Sequence, residues 1–358
     1  MVSLGGLRRR QRRAIAKLPE KITQGLIVEK ECMQGREVSV WCVSDGRAGI
    51  ELQTLAVAHA LRERVPTRIK VLRLQPSGFQ LVLPPSLWPM PKAALPIEQA
   101  ARLQAPWPDV WIANGRRSIP YSLRMKKWST GHSLVVQLQN PRLKPKRFDL
   151  VAPPKHDLVR GDNVITTLGA PVWYSQKEIE TTLAQIPEPR HLGKKKVMVI
   201  LGGKSKRHRL SLARAHAILA ELQRLAYQEV HLMITTSRRT PKPAEDLFRT
   251  FAFNSGADFF ANEARDGPNP YLAWLAQAEA ALVTEDSTNM MTDVAFFGIP
   301  MHLIKLEGRD TKFDRLHAAF IERGAARWFG GSLTSWTYEP IRDAMEIAEA
   351  IQARLIMP

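Results

Sequence analysis

The chain has 358 residues, 44% hydrophobic and 24% charged, a globular balance that excludes wholesale disorder and sets two domains as the starting expectation. Its formal charge of +18 is unevenly placed: residues 1–190 carry 30 basic and 15 acidic side chains, whereas residues 191–358 carry 22 and 19. That field suits an anionic partner such as a membrane surface or a phosphorylated acceptor, and no nucleic acid is expected.

The first 18 residues hold Arg8, Arg9, Arg10, Arg12, Arg13 and Lys17 with no acid. They read as a solvated arm, a membrane-surface segment or an Arg-rich transit peptide. No apolar h-region follows, and no run approaches the ~18 apolar residues of a membrane span. Cys32 and Cys42 cannot build a disulfide framework or a four-ligand zinc site by themselves.

Order is expected from about residue 37. Val38–Val43 is a short apolar strand, and Ser44-Asp45-Gly46 opens a helix with Leu52, Leu55, Ala58 and Leu61 at helical steps. Further strands are expected at Ile69–Leu74, Asp109–Ala113, Leu134–Leu138, Phe148–Val151 and Val164–Thr167. Such continuous apolar runs suit a parallel sheet covered on both faces. Pro76–Pro96 is Pro-rich and reads as an irregular insertion.

A polar linker is expected at 173–194, and a second series then begins. Val197–Leu201, Val230–Thr235, Ala280–Thr284 and Met301–Ile304 read as strands, and Leu212, Ala215, Leu219 and Leu222 mark a helix. From residue 336 the tail spaces Ile341, Ala344, Ala348, Ile351 and Leu355 as an amphipathic helix. Two successive βα series imply an α/β protein of two Rossmann-like domains, 37–172 and 195–335.

Four segments carry chemistry. In Glu285-Asp286-Ser287-Thr288-Asn289 a strand meets a helix, so Asp286 or Ser287 caps it; alternatively the N–H groups of Ser287, Thr288 and Asn289 take a diphosphate. Asp293, one turn on, is placed to accept ribose hydroxyls. Gly202-Gly203-Lys204-Ser205 forms the first strand-to-helix turn of the second series, either a basic solvated turn or a close backbone approach to a ligand. Arg238 and Arg239 follow the next strand, as a surface pair or as phosphate ligands. In the first series, Asp45 is a helix cap or a general base toward an acceptor hydroxyl. Arg47 stands beside it, Arg116 and Arg117 repeat the pattern after another strand as acceptor-side candidates, and His156 with Asp157 is an acid/base pair or a structural His beside an Asp. There is no HExxH and no D-x-D pair, so no metal site is expected.

The segments SDGRAGIELQ, ANGRRSIP, VVQLQNPR, FDLVAPPKHD, NVITTLGAP, LGGKSKRHRL, TTSRRTP, TEDSTNMMTD, KFDRLH and WTYEP together resemble the plant mitochondrial-fission "elongated mitochondria" family. Its bacterial relatives include lipooligosaccharide outer-core glycosyltransferases. The resemblance runs from about residue 39 to 345. It implies a GT-B architecture, two Rossmann-like domains facing across a cleft, with the C-terminal helix packing back on the first. It implies a nucleotide-sugar as co-substrate without a further cofactor, held by the second domain through the helix-start motif. The usual ribose acid there is Glu, where this chain has Asp293. It further implies a lipid-linked or lipopolysaccharide-core acceptor on the first domain, at the inner face of a bacterial membrane. An organellar site follows instead if the arm is a transit peptide. The plant members resemble recruiters of a dynamin-related GTPase, so a non-catalytic adaptor is the alternative.

Overall fold

The computed structural model describes residues 36–186 and 193–356. The basic arm, Cys32 and part of the expected linker lie outside them. The chain divides into two compact units, one of residues 36–173 with 342–356 and one of residues 174–341.

In the first unit β1 (Val38–Ser44) leads into α1 (Ala48–Arg62), then β2 (Thr67–Arg73), β3 (Val110–Asn114), α2 (Ile119–Trp128), β4 (Leu134–Leu138) and β5 (Leu150–Ala152). The strands form one sheet in the order β2-β1-β3-β4-β5, every pair parallel. Val40, Cys42, Ile112 and Val136 face one layer and Trp41, Val43, Trp111 and Val135 the other. That two-faced burial is why these strands read as unbroken apolar runs rather than as alternating ones. Val164–Thr167 makes only isolated bridges, Val151 to Val164 and Pro154 to Thr167, and is not a ladder strand.

The second unit starts earlier than expected. Residues 176–185 form a helix, α3 (Gln176–Gln185), in place of a polar linker. Ser175 and Glu178 close a reciprocal capping box at its start, satisfying two donors that a helix end otherwise leaves open. Ile179 and Leu183 are buried against Ala273. Polar composition hid the helix because only two of its turns carry a core contact.

Then follow β6 (Lys195–Leu201), β7 (His208–Arg209), α4 (Leu212–Ala226), β8 (Val230–Thr236), α5 (Lys242–Ser255), β9 (Asp258–Phe260), α6 (Tyr271–Gln277), β10 (Ala280–Thr284), α7 (Thr288–Phe296), β11 (Met301–Ile304), β12 (Glu307–Gly308), α8 (Thr311–Glu322) and β13 (Ala326–Trp328). The main sheet runs β13-β11-β10-β6-β8-β9, all parallel. Counted within the unit this is the doubly wound order 6-5-4-1-2-3, whose direction reverses between β6 and β10. β7 and β12 make a small antiparallel pair that pins the loop after β6. The edge strands β9 and β13 are three residues each, too short for a periodicity reading to find.

The tail helix, α9 (Asp343–Ile356), belongs to the first unit. Ala344, Ile347, Ala348 and Ile351 are buried with Val57, Ala60 and Leu61 of α1. Arg64 hydrogen-bonds Gln352 Oε1 at 2.5 Å and Glu349 Oε1 at 3.1 Å. Asp343 Oδ2 accepts from the N–H groups of Leu168 and Gly169 at 2.9 and 3.2 Å. The fold class is the expected α/β one: two Rossmann-like units, with the C-terminal helix packed in the first.

Candidate functional site

Open parallel sheets bind ligands outside their carboxyl edges where the winding reverses, because the two connections diverge there and leave room. In the second unit the loops at that edge follow β6, β8 and β10, three neighbouring strands. They carry Gly202, Gly203 and Ser205, then Arg238 and Arg239, then Asp286 to Asn289. The strand order therefore assembles all three expected segments.

At their centre stands Asp286, which the sequence offered as a helix cap. It caps nothing. Ser287 is the N-cap of α7, and no side chain accepts from the first turn. The Asp286 carboxylate turns instead into the sheet edge. It accepts from Gly203 N at 3.2 Å and Thr284 Oγ1 at 2.8 Å, and pairs with Arg239 Nη1 at 2.9 Å. Its side chain is fully buried while that of Arg239 is 37% exposed, so the guanidinium keeps donors toward solvent. Thr284 Oγ1 in turn accepts from Gly202 N at 2.7 Å.

The two glycines are explained by this closure. A Cβ on Gly202 would lie 2.0 Å from Asp286 Oδ1, and one on Gly203 would lie 2.2 Å from the Arg239 carbonyl oxygen. The second clash is with backbone, which cannot swing away. Gly203→Ala is expected to destabilise the protein by about 1–3 kcal/mol, an overpacking cost, seen as a lower urea midpoint at unchanged slope.

Arg238 is exposed, and Ser287, Thr288 and Asn289 are half-buried around the α7 start. The first intrahelical bond there is Met291 N to Ser287 O at 3.3 Å. The preceding N–H groups are left to the positive end of the helix dipole. Ser205 is occupied locally: its hydroxyl accepts from the N–H groups of Arg207 and His208 at 3.3 and 3.0 Å. It shapes the loop rather than facing the crevice with a free hydroxyl.

Asp293 departs from its expected role. Its two oxygens each take a tyrosine hydroxyl, Tyr174 at 3.0 Å and Tyr271 at 2.9 Å, in a buried setting. Burial outweighs the two hydroxyl bonds and pushes its pKa up to about 7. The folded pKa lies above the unfolded one. The stability this group contributes is therefore complete below about pH 4, the unfolded carboxyl value, and is lost as the pH rises through 7. Asp293→Asn removes the ionisable proton at the same shape. Its melting temperature is expected to gain on the wild type from pH 5 to pH 8.5, and a constant difference would refute the assignment.

A pair missed by sequence reading supports the β10 loop from below. His317 of α8 meets the Glu285 carbonyl oxygen through Nε2 at 2.8 Å, and Glu285 Oε1 accepts from Leu306 N at 2.6 Å. Burial lowers the His317 pKa, which keeps the ring neutral and able to donate one N–H. The KFDRLH motif that contains His317 was the available signal.

In the first unit the winding reverses between β1 and β3. Asp45 follows β1, and Gly115, Arg116 and Arg117 follow β3. Asp45 is buried, and its carboxylate takes Arg47 Nε at 3.1 and 2.9 Å and Nη2 at 2.7 Å. Burial alone would raise its pKa, but the Arg47 hydrogen bonds and the charges of Arg47 and Arg117 prevail and hold it below the usual range. Arg116 and Arg117 are exposed. His156 and Asp157 are not part of this group. They follow β5, three ladder steps from β1, roughly 14 Å at the usual strand spacing. There His156 Nε2 stands 3.9 Å from Asp157 Oδ1.

Beneath Asp45 lies a polar network whose members, Gln53, Asn114 and Gln139, stand in three of the quoted motifs. Asn114 Nδ2 donates to Ile50 O at 3.1 Å and Gln53 Oε1 at 2.9 Å, and Gln139 Nε2 donates to the same Gln53 oxygen at 3.0 Å. It turns α1 so that Gln53 is buried and Leu52 exposed, while Ala58 and Leu61 of the expected apolar stripe are buried and Leu55 packs partly against the core. Cys42 lies in the core beside it, its thiol pushed up to about 12 by burial. Among the described residues no three His, Cys, Asp or Glu side chains group as metal ligands, and no helix is long and apolar enough to cross a membrane.

Residues 48–355 match the family model described as Mitochondrial fission ELM1. The chain belongs to the mitochondrial fission ELM1 family. The Arabidopsis thaliana mitochondrial fission protein ELM1 is 26% identical over 277 residues, 69% of this chain and 64% of the plant protein. The chain thus spans less than two thirds of that relative. It spans 99% of the uncharacterized protein RP120 of Rickettsia prowazekii (strain Madrid E), at 25% identity and 89% coverage of this chain. Among solved structures, UDP-GlcNAc 2-epimerase from Methanocaldococcus jannaschii is similar over 89% of this chain and 100% of that one. The TM-score is 0.52 at 11% identity, a likeness of fold alone. This member of the ELM1 family therefore shares the two-unit α/β fold of that structure, and its residues must carry the functional argument.

Proposed function

We propose that the second unit binds a nucleotide-diphosphate sugar and that the chain transfers the sugar, without a metal, to a lipid-linked or lipopolysaccharide-core acceptor. The observation that carries this reading is Arg239 on Asp286 at the reversal between β6 and β10, beside a helix start with no side-chain cap. Asp286 neutralises one face of the guanidinium and fixes its direction. The exposed donors of Arg239, the exposed Arg238 and the α7 N–H groups then converge on an anion with two phosphoryl groups. In the transition state the same groups meet the charge growing on the leaving diphosphate. The fold likeness supports this reading, since the M. jannaschii protein is named for a nucleotide-sugar.

In this proposal the acceptor hydroxyl lies at Asp45 on the first unit, with Asp45 as general base. Arg47 holds the carboxylate ionised at rest. An acceptor phosphate drawn to Arg47, Arg116 and Arg117 competes for the Arg47 fork and frees an oxygen to take the hydroxyl proton. The site of action is the inner face of a bacterial membrane, to which the basic arm contributes attraction for anionic lipid.

Titration calorimetry of the full chain with UDP, GDP, ADP and CMP tests the donor site. One of the diphosphates is expected to bind in the micromolar range, and binding no better than millimolar by all four removes the transferase reading. A deletion strain with unchanged envelope glycan but a lost protein partner would establish the adaptor alternative instead.

A further inference from the structure

We infer that the Pro-rich excursion between β2 and β3 is a docking surface for an anionic lipid bilayer. It carries the membrane reading from the arm to an ordered part of the fold, and rests on that reading but not on the transfer chemistry.

The segment holds six prolines between residues 76 and 96, which restrict its backbone before any contact forms. It folds as three single turns, Phe79–Val82, Pro85–Leu87 and Pro91–Ala94. Its inner side chains are anchored. Trp88, Ala94 and Leu95 are buried in the core layer with Trp111 and Tyr121. Gln80 Nε2 donates to Met90 O at 3.2 Å, and Arg124 Nη2 of α2 donates to Pro89 O at 3.2 Å.

Its outer side chains face water. Phe79 is 71% exposed, Val82 83%, Leu87 63%, Met90 66% and, just beyond, Ile97 89%. Scattered apolar exposure is ordinary, but five large side chains held out within nineteen residues of a braced segment mark a surface meant to be covered.

Charge selects the occupant. No Asp or Glu stands between Glu63 and Glu98, or between Asp109 and Asp149, while those stretches carry five and nine Lys or Arg. Lys127 is exposed on α2, which packs against the second and third turns, while Lys92 and Arg124 are half-buried and brace the segment through Leu103 O and Pro89 O. Apolar tips on a stretch whose first acid after Glu63 is Glu98, beside Ile97 at its margin, fit the interface of a bilayer. The tips enter the acyl boundary and the cations stay with the phosphates.

The test is co-sedimentation of the full chain with vesicles of pure phosphatidylcholine and of phosphatidylcholine with 30% phosphatidylglycerol. Binding is expected to the second only. Phe79→Ser with Val82→Ser is expected to weaken it roughly thirtyfold, about 2 kcal/mol at 1.4 kcal/mol per decade, with calorimetric nucleotide binding unchanged. Met90→Ser with Ile97→Ser, at separate exposed positions, is expected to act likewise. If the wild type binds and both pairs bind equally well, the inference falls and the arm alone holds the membrane. If the wild type fails to bind, the membrane reading falls with it. A wild-type dimer in gel filtration that both pairs convert to monomer would make the surface a self-association face and overturn the proposal.

Discussion

Asp45→Asn is expected to lower turnover by roughly 10²–10⁴-fold, the usual contribution of a positioned general base, while nucleotide affinity stays unchanged. The two parts of this result come from different units. The amide cannot accept the hydroxyl proton, whereas the groups proposed to hold the diphosphate belong to the loops after β6, β8 and β10. Since Arg47 and Arg117 hold the carboxyl below its ordinary range, Asp45 adds no acid limb to the pH–rate profile between pH 5 and 8. Its depressed pKa also contributes stability that is present above the unfolded carboxyl value and lost as the pH falls through the folded one. Arg47→Ala separates the roles: it removes the clamp and the acceptor attraction, so KM for a phosphorylated acceptor rises. A variant Asp45→Asn protein with wild-type turnover would exclude Asp45 as the base.

Arg239→Ala is expected to weaken nucleotide-diphosphate binding by about 10–100-fold, the equivalent of a charge-assisted hydrogen bond of 1.5–3 kcal/mol. It also leaves the Asp286 carboxylate buried with only Gly203 N and Thr284 Oγ1 as donors. A stability loss of about 1–2 kcal/mol follows, below the range for a fully buried pair because Arg239 is partly solvated. Adding Asp286→Asn removes the stranded charge. The double variant is expected to recover stability without recovering affinity, and the cycle divides what Arg239 does for the fold from what it does for the ligand. Equal affinity in wild type and Arg239→Ala would remove the arginine from the site.

Much of this protein was determined by local sequence. Continuous apolar runs announced β1, β4, β6, β10 and β11, because strands buried on both faces need no alternation. Gly298, at φ 68°, closes α7 with the left-handed residue that helix ends favour. The loops bearing Gly202, Arg239 and Ser287 were recognisable as strand-to-helix turns, so the loops that meet at the candidate site were readable. Its wiring was not. Asp286 looked like a cap, and it is the hub of three loops because the 6-5-4-1-2-3 order sets residues 82 positions apart side by side, as Gly202 and Thr284 are. Asp293 looked like a ribose ligand, but Tyr174 and Tyr271 reach it from α6 and from the residues before α3. Gln53 displaced Leu52 from the core because Asn114 and Gln139 offered it partners. Periodicity and turn chemistry act within a few residues along the chain, whereas a buried polar group takes whichever partner the finished packing brings within about 3 Å. Which partners Asp45, Asp286 and Asp293 take was decided only there.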